Sequence, residues 1–265
     1  MAYKRYRTQP LVYADALGAA FAKKIEALVK ELNKELLNEA KTSASTDADP
    51  KSKEEKAFDA SLSARMKSKK EAFDKKNKKK IEQLAFDFAK ELDDHSKMQM
   101  TKQVMSLPKV KADRLIKKLG IGDALAKKTT EITELIKSLS SGVVDRIERE
   151  LQNTATLGDA KKVYDIVLES GEVSKNRAMF IAEQETRATL SAFNTERAKA
   201  TGATKFEWIH SSAGLNPRPL HVSYDGRVFE FDDPPVIDER TQERGMPGEL
   251  PNCRCFFRTI YEFEE

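Results

Sequence analysis

The sequence predicts a mainly α-helical protein with a small α+β C-terminal module: long amphipathic helices, then a helix plus about three short antiparallel strands. Three observations carry this. Apolar residues recur at steps of three and four through most of the chain, the texture changes after Gly202 to short alternating segments, and six of the nine prolines lie between Pro217 and Pro251.

In the first segment Leu17, Phe21, Ile25, Leu28, Leu32 and Leu36 fall on one stripe, which predicts a helix from about Val12 to about Lys41. The stretch TSASTDADPKSK from Thr42 has no apolar anchor and contains Pro50, so a flexible linker is expected near 42–53. A second helix starts near Glu54. Its middle, KSKKEAFDKKNKKK, offers Phe73 alone to a core, and it becomes amphipathic at Ile81, Leu84, Phe88 and Leu92. Leu107-Pro108 interrupts the pattern, because proline disfavours helical geometry in the residue before it. A short helix stopped at Gly120 follows, then a long stripe of Leu125, Ile132, Ile136, Leu139, Val143, Ile147 and Leu151 with the spacing of a packed or coiled helix. Two further helices are expected, from Asp159 as N-cap to about Ser170 and from Ser174 as N-cap to Ala200, with Gly202 ending the second. The domains follow as an elongated helical region at 1–106, a helical region at 107–172, and a module at 173–265. Stripes this long are expected to seek partner helices outside the chain.

Within the module TKFEWIH alternates as a strand, with Phe206 and Trp208 on one face and Lys205 and Glu207 on the other. HVSYDGRVFEF places Asp225-Gly226 between two apolar runs, a hairpin signal because both turn positions favour positive φ. CRCFFRTIYEF reads as a third strand.

Net charge is +4, unevenly spread. Lys51 to Lys80 holds twelve basic against five acidic residues, and Asp225 to Glu249 eight acidic against three basic. Lys67, Lys69, Lys70, Lys75, Lys76, Lys78, Lys79 and Lys80 could meet DNA phosphates, but no aromatic platform is interleaved with them, and a solvated helix face is the simpler reading. No apolar run approaches the length of a membrane span, and the start MAYKRYRTQP lacks the apolar stretch of a signal peptide. A cytoplasmic site of synthesis is expected. Gly-rich phosphate loops, Gly-x-Ser-x-Gly and His-Glu-x-x-His are all missing from the sequence, which removes the easiest support for nucleotide and hydrolase chemistry.

Both cysteines, Cys253 and Cys255, stand in ELPNCRCFFRTIYEF. Two thiols cannot make a disulfide framework, so the pair reads either as core filling or as half of a metal site. Arg218 and His221 could be read as an acid/base pair for phosphodiester cleavage, yet no second acid/base group accompanies them. Holding a loop is the stronger reading. Glu183 and Glu185, two apart on a helix, point in different directions and form no carboxylate pair.

From about Arg177 onward the sequence resembles the phage head morphogenesis family, the minor head proteins similar to the F protein of phage Mu. The likeness rests on ordered motifs. They are Glu185-Thr186 and Asn194 in IAEQETRATLSAFNTERAKATGA, Trp208 on a strand, RPLHVSYDGRVF with Arg218, His221, Asp225 and Gly226, and PNCRC with Asn252, Cys253 and Cys255. The resemblance implies a non-enzymatic minor head protein of a tailed phage, assembled in the host cytoplasm and carried in the virion. Its implied partners are portal, capsid and scaffold proteins, and double-stranded DNA at the point of packaging or delivery. A non-specific DNA-binding protein and a nuclease-type enzyme are the alternatives. Many family members have two cysteines before the Asp-Gly, giving four thiols of the kind that hold zinc. Here His221 stands in that segment, so a structural zinc on His221, Cys253 and Cys255 needs a fourth ligand such as His210 or an acidic side chain.

Overall fold

The structure is a computed structural model that describes residues 3–44, 52–153, 160–213 and 216–264. Its elements in order are β1 (Tyr3–Arg7), α1 (Asp15–Ala44), α2 (Ser52–Met105), α3 (Lys109–Ile116), α4 (Ala124–Asn153), α5 (Ala160–Ala200), β2 (Lys205–Ile209), α6 (Pro219–Ser223), β3 (Val228–Glu230), β4 (Val236–Asp238), β5 (Glu243–Arg244) and β6 (Phe256–Glu264). Long helices followed by a small sheet module is the architecture the periodicity predicts.

Two compact units interleave along the sequence. One comprises Met1–Gly18, Asp87–Thr129 and Glu183–Glu265, and the other Ala19–Phe86 and Thr130–Ala182. Positions 107 and 173 therefore lie inside pieces of a unit rather than at a division, because α2 and α5 each give one half to each unit.

The helical unit is built from α1, α4 and the halves of α2 and α5 within it. The stripe on α1 is buried at Phe21, Ile25, Leu28, Leu32 and Leu36, that on α4 at Ile132, Ile136, Leu139, Val143, Ile147 and Leu151, and α2 contributes Leu62, Met66, Phe73 and Ile81. Residues of all three helices line one small pocket of about 20 Å³, including Ile25, Leu32, Phe73, Ile81, Ile136 and Leu139. The stripes are thus satisfied against one another within the chain, which corrects the expectation that they seek outside partners.

Two further expectations are corrected. The described part of the 42–53 linker is helical, since Thr42 to Ala44 continue α1 and Ser52 and Lys53 begin α2; residues 45–51 lie outside the described residues. In place of two helices meeting at Ser174, α5 is one helix of 41 residues, and the expected N-cap Asp159 lies outside the described residues. Ser170 and Ser174 are buried in it, and Gly171 sits where an added Cβ would collide with the Asn33 side chain. Glycine weakens a helix by about 1 kcal/mol relative to alanine, and here it is the residue that lets α1 come close.

The other unit carries an antiparallel sheet in the order β1-β6-β2-β3, with β4 and β5 paired separately. Gly202 ends α5 as expected. At φ 85° it lets its own N–H reach the Lys199 carbonyl (2.9 Å) and the Ala203 N–H reach that of Ala198 (3.0 Å), a Schellman closure over two buried alanines. In β2, Phe206 and Trp208 face the core, while Glu207 on the opposite face meets Arg7 of β1 (3.3 Å) and Arg258 of β6 (3.8 Å). The hairpin expected at Asp225-Gly226 is not formed. Pro219, which has no N–H to give a strand, starts the five-residue α6 instead, and β3 pairs with β2 in the register Lys205↔Glu230. The Asp-Gly pair turns the chain back onto β2: Gly226 at φ 73° donates to the Trp208 carbonyl (2.9 Å) and Asp225 Oδ1 accepts from the His210 N–H (2.8 Å).

Candidate functional site

The loop from β5 to β6, GMPGELPNCRC, is gripped from α5 and from the chain before α1. Gln184 donates to the carbonyls of Glu249 and Leu250 (both 3.1 Å), and its Oε1 accepts from the Asn252 N–H (2.9 Å). Ser191 Oγ donates to the Pro247 carbonyl (2.6 Å), and the Tyr13 hydroxyl to that of Cys255. Asn252 adopts φ 61°, a left-handed conformation that asparagine tolerates better than most residues, and the Cys253 N–H closes a turn onto the Leu250 carbonyl (3.0 Å). The turn sends both cysteine side chains inward.

There they meet His221 from α6. All three are buried at 3% exposure, and their ligand-capable atoms lie within 4.8 Å of one another. His221 Nδ1 is 3.4 Å from the Cys253 sulfur and 3.8 Å from the Cys255 sulfur. On the ring's other side Nε2 donates to the Ile237 carbonyl of β4 (2.9 Å), which fixes a proton there. Trp208 stands edge-on to the imidazole with centroids 5.0 Å apart, and Tyr224 packs on Trp208 at 5.4 Å while donating its hydroxyl to the Val236 carbonyl (3.0 Å). A hydrogen bond from Cys255 holds the Cys253 thiol well below its ordinary range despite burial, and the same contact together with burial pushes Cys255 up.

The remaining motif residues surround this cluster. Arg218 donates to the Pro251 carbonyl (2.9 Å), fastening α6 to the cysteine loop. Thr186 is buried, Glu185 half-buried, and Asn194 Oδ1 accepts from Ser96 Oγ (2.5 Å). His210 lies outside the cluster, with Nδ1 turned to the backbone N–H of Ser212 (3.3 Å), so it is not the expected fourth ligand. Glu183 pairs with Arg187 one turn on (3.5 Å). An acid/base arrangement of Arg218 with His221 is not assembled, since the guanidinium is engaged by a carbonyl and the imidazole is buried with both nitrogens facing partners.

The basic stretch of α2 belongs to the helical unit. Lys67 pairs with Glu148 (2.8 Å), Lys69 with Glu39 (3.6 Å), Lys70 with Asp74 (2.9 Å), Lys76 with Glu31 (3.1 Å) and Glu35 (3.4 Å), and Lys80 with Glu31 (3.2 Å). Lys75, Lys78 and Lys79 stay exposed.

Sequence reasoning missed Arg197, a guanidinium at 1% exposure. It donates to the Leu119 carbonyl (3.1 Å) and Ser96 Oγ (2.8 Å) and pairs with Asp93. It missed Gln184 as well. The one signal in the sequence was a polar residue on the apolar side of a helix, which only the partner segment explains.

The fold and this cluster define a helical protein with a histidine- and cysteine-bearing sheet module. Residues 128–258 match the family described as Phage Mu protein F like protein, so the likeness read from the motifs is shown for the C-terminal part of the chain. An "Uncharacterized protein" of Haemophilus influenzae is 30% identical over 125 residues, 46% of this chain and 26% of that protein. The match thus spans about a quarter of the relative's length. No solved structure matches the chain. Among the described residues no helix is long and apolar enough to cross a membrane.

Proposed function

We propose that the protein is a minor head component of a tailed phage that assembles with the portal and inner capsid, the sheet module being its folded docking element. The observation that carries this reading is the coincidence of the family match with the residues that build the module. Motif positions separated in sequence, Trp208, Arg218, His221, Asp225, Cys253 and Cys255, all serve one small core and the turns that enclose it. Residues used to build a framework suit an assembly part better than an enzyme.

The test is gradient sedimentation of tagged protein with procapsids that contain or lack the portal. Co-migration that depends on the portal is expected. Equal recovery with both particles moves the contact to the shell, and failure to migrate with either overturns the reading.

A DNA-contacting role has less to draw on than the lysine count suggests, because five of the eight lysines form ion pairs inside their own unit. It rests on Lys75, Lys78 and Lys79.

A further inference from the structure

We propose that His221 Nδ1 and the sulfurs of Cys253 and Cys255 bind one zinc ion, with the fourth position of the tetrahedron filled from outside this trio. The separations fit the ion. Zinc bonds of about 2.3 Å to sulfur and 2.0–2.1 Å to nitrogen, opened at the tetrahedral angle, set each sulfur about 3.6 Å from the nitrogen. The observed 3.4 and 3.8 Å lie on either side of that value.

Hydrogen bonding alone accounts for the cluster less well. With Nε2 committed as donor to the Ile237 carbonyl, neutral His221 has a single lone pair at Nδ1, and two sulfurs converge on it. One S–H can use that lone pair; the second sulfur gains nothing from it. A cation placed among the three uses the lone pair and both sulfurs together. The arrangement beyond the three atoms agrees. A metal-bound histidine ordinarily gives its other N–H to a carbonyl or carboxylate, which Nε2 does here. Two thiolates and an imidazole form a soft to borderline donor set, which selects zinc over magnesium or calcium. When bound, the ion would join α6 to the cysteine loop across 32 residues of chain. No other group of three such side chains occurs among the described residues.

The proposal does not rest on head assembly, since it is measured on the isolated chain. Full-length protein is purified reduced, stripped of metal, and titrated with cobalt(II) and then zinc. One equivalent of cobalt is expected to give thiolate-to-metal charge-transfer absorption and the intense visible bands of a tetrahedral site. One equivalent of zinc should bleach both and slow the reaction of both thiols with a disulfide reagent at least tenfold. A native, folded chain that shows no charge-transfer absorption, while its two thiols react at one rate with or without zinc, overturns the proposal. His221→Asn tests the nitrogen ligand: an unchanged cobalt spectrum in a folded variant removes His221 from the set. Should that variant fail to fold, the titration of the native chain still decides.

Discussion

Asp93→Ala is expected to destabilise the sheet-bearing unit by about 3 kcal/mol, because it strands the Arg197 charge. Removing one partner of a buried ion pair costs about 3–5 kcal/mol, well above the worth of an exposed pair. The low end applies here, since Ser96 Oγ and the Leu119 carbonyl still accept from the guanidinium after the carboxylate has gone. Burial already holds the Arg197 pKa below its ordinary value against the pull of Asp93, so the group has little further solvation to fall back on. Trp208 is the only tryptophan and lies in this unit, so its fluorescence reports the unit's own unfolding in urea. With an m-value of ~2 kcal/mol/M, the midpoint should fall by roughly 1.5 M. Asp94→Ala, removing an exposed neighbour whose pair with Lys90 lies in solvent, should cost under about 1 kcal/mol. The double variant Asp93→Ala with Arg197→Met should recover much of the loss, because the desolvated charge goes with its partner. A loss below about 1 kcal/mol for Asp93→Ala, or a double variant no more stable than the single, would refute the reasoning.

Gly202→Ala should cost about 1–2 kcal/mol by the same fluorescence assay, wholly from the left-handed φ of 85°, since an added Cβ there meets nothing within 4 Å. Cys253→Ser and Cys255→Ser should be non-additive in stability, with a coupling of about 0.5–3 kcal/mol if the thiols serve one site; strictly additive losses argue for independent packing. Hydrogen bonds from Lys76 and Lys80 hold the Glu31 pKa below the ordinary carboxylate range. The stability this provides is complete above the unfolded carboxylate pKa of about 4.3 and is lost as pH falls through the lower folded value. Helical content followed by circular dichroism should therefore show an acid loss below about pH 4 that shrinks in Lys76→Met with Lys80→Met; an unchanged acid profile would discount these pairs. If Lys75, Lys78 and Lys79 contact DNA, log affinity should fall by about 2.7 per decade of salt, and their removal should flatten that slope.

Helix positions were legible where an apolar stripe ran unbroken, as from Phe21 to Leu36 and from Ile132 to Leu151, because period alone fixes which face is buried. Local punctuation misled where a distant segment decided the outcome. Ser174 has the residue type of an N-cap, yet α5 runs through it, with Ser174 buried and Gly171 set against the Asn33 side chain of α1. The strand β1 was invisible because its partner lies about 250 residues away, and five residues of tyrosine, lysine and arginine without period-two alternation carry little signal of their own. Residue types marked the His221, Cys253 and Cys255 cluster, but not His210's exclusion from it. The His210 imidazole instead meets the loop after β2, where Ser212 adopts φ 54° and its N–H reaches Nδ1.

The pairing of Tyr3–Arg7 with Phe256–Glu264 also sets an order of events during synthesis. The first strand leaves the ribosome with its partner about 250 residues away, a wait of roughly 12–50 s at 5–20 residues per second. In that interval all of the helical unit's residues emerge, so that unit can pack before the sheet is complete. The strand's Lys4, Arg5 and Arg7 then act as guards, since charged side chains on an unpaired edge discourage neighbouring nascent chains from adding to it. Phe256–Glu264, which pairs with both β1 and β2, arrives after the other strands of the sheet, so β2 and β3 can pair first and β6 then joins them to the waiting β1.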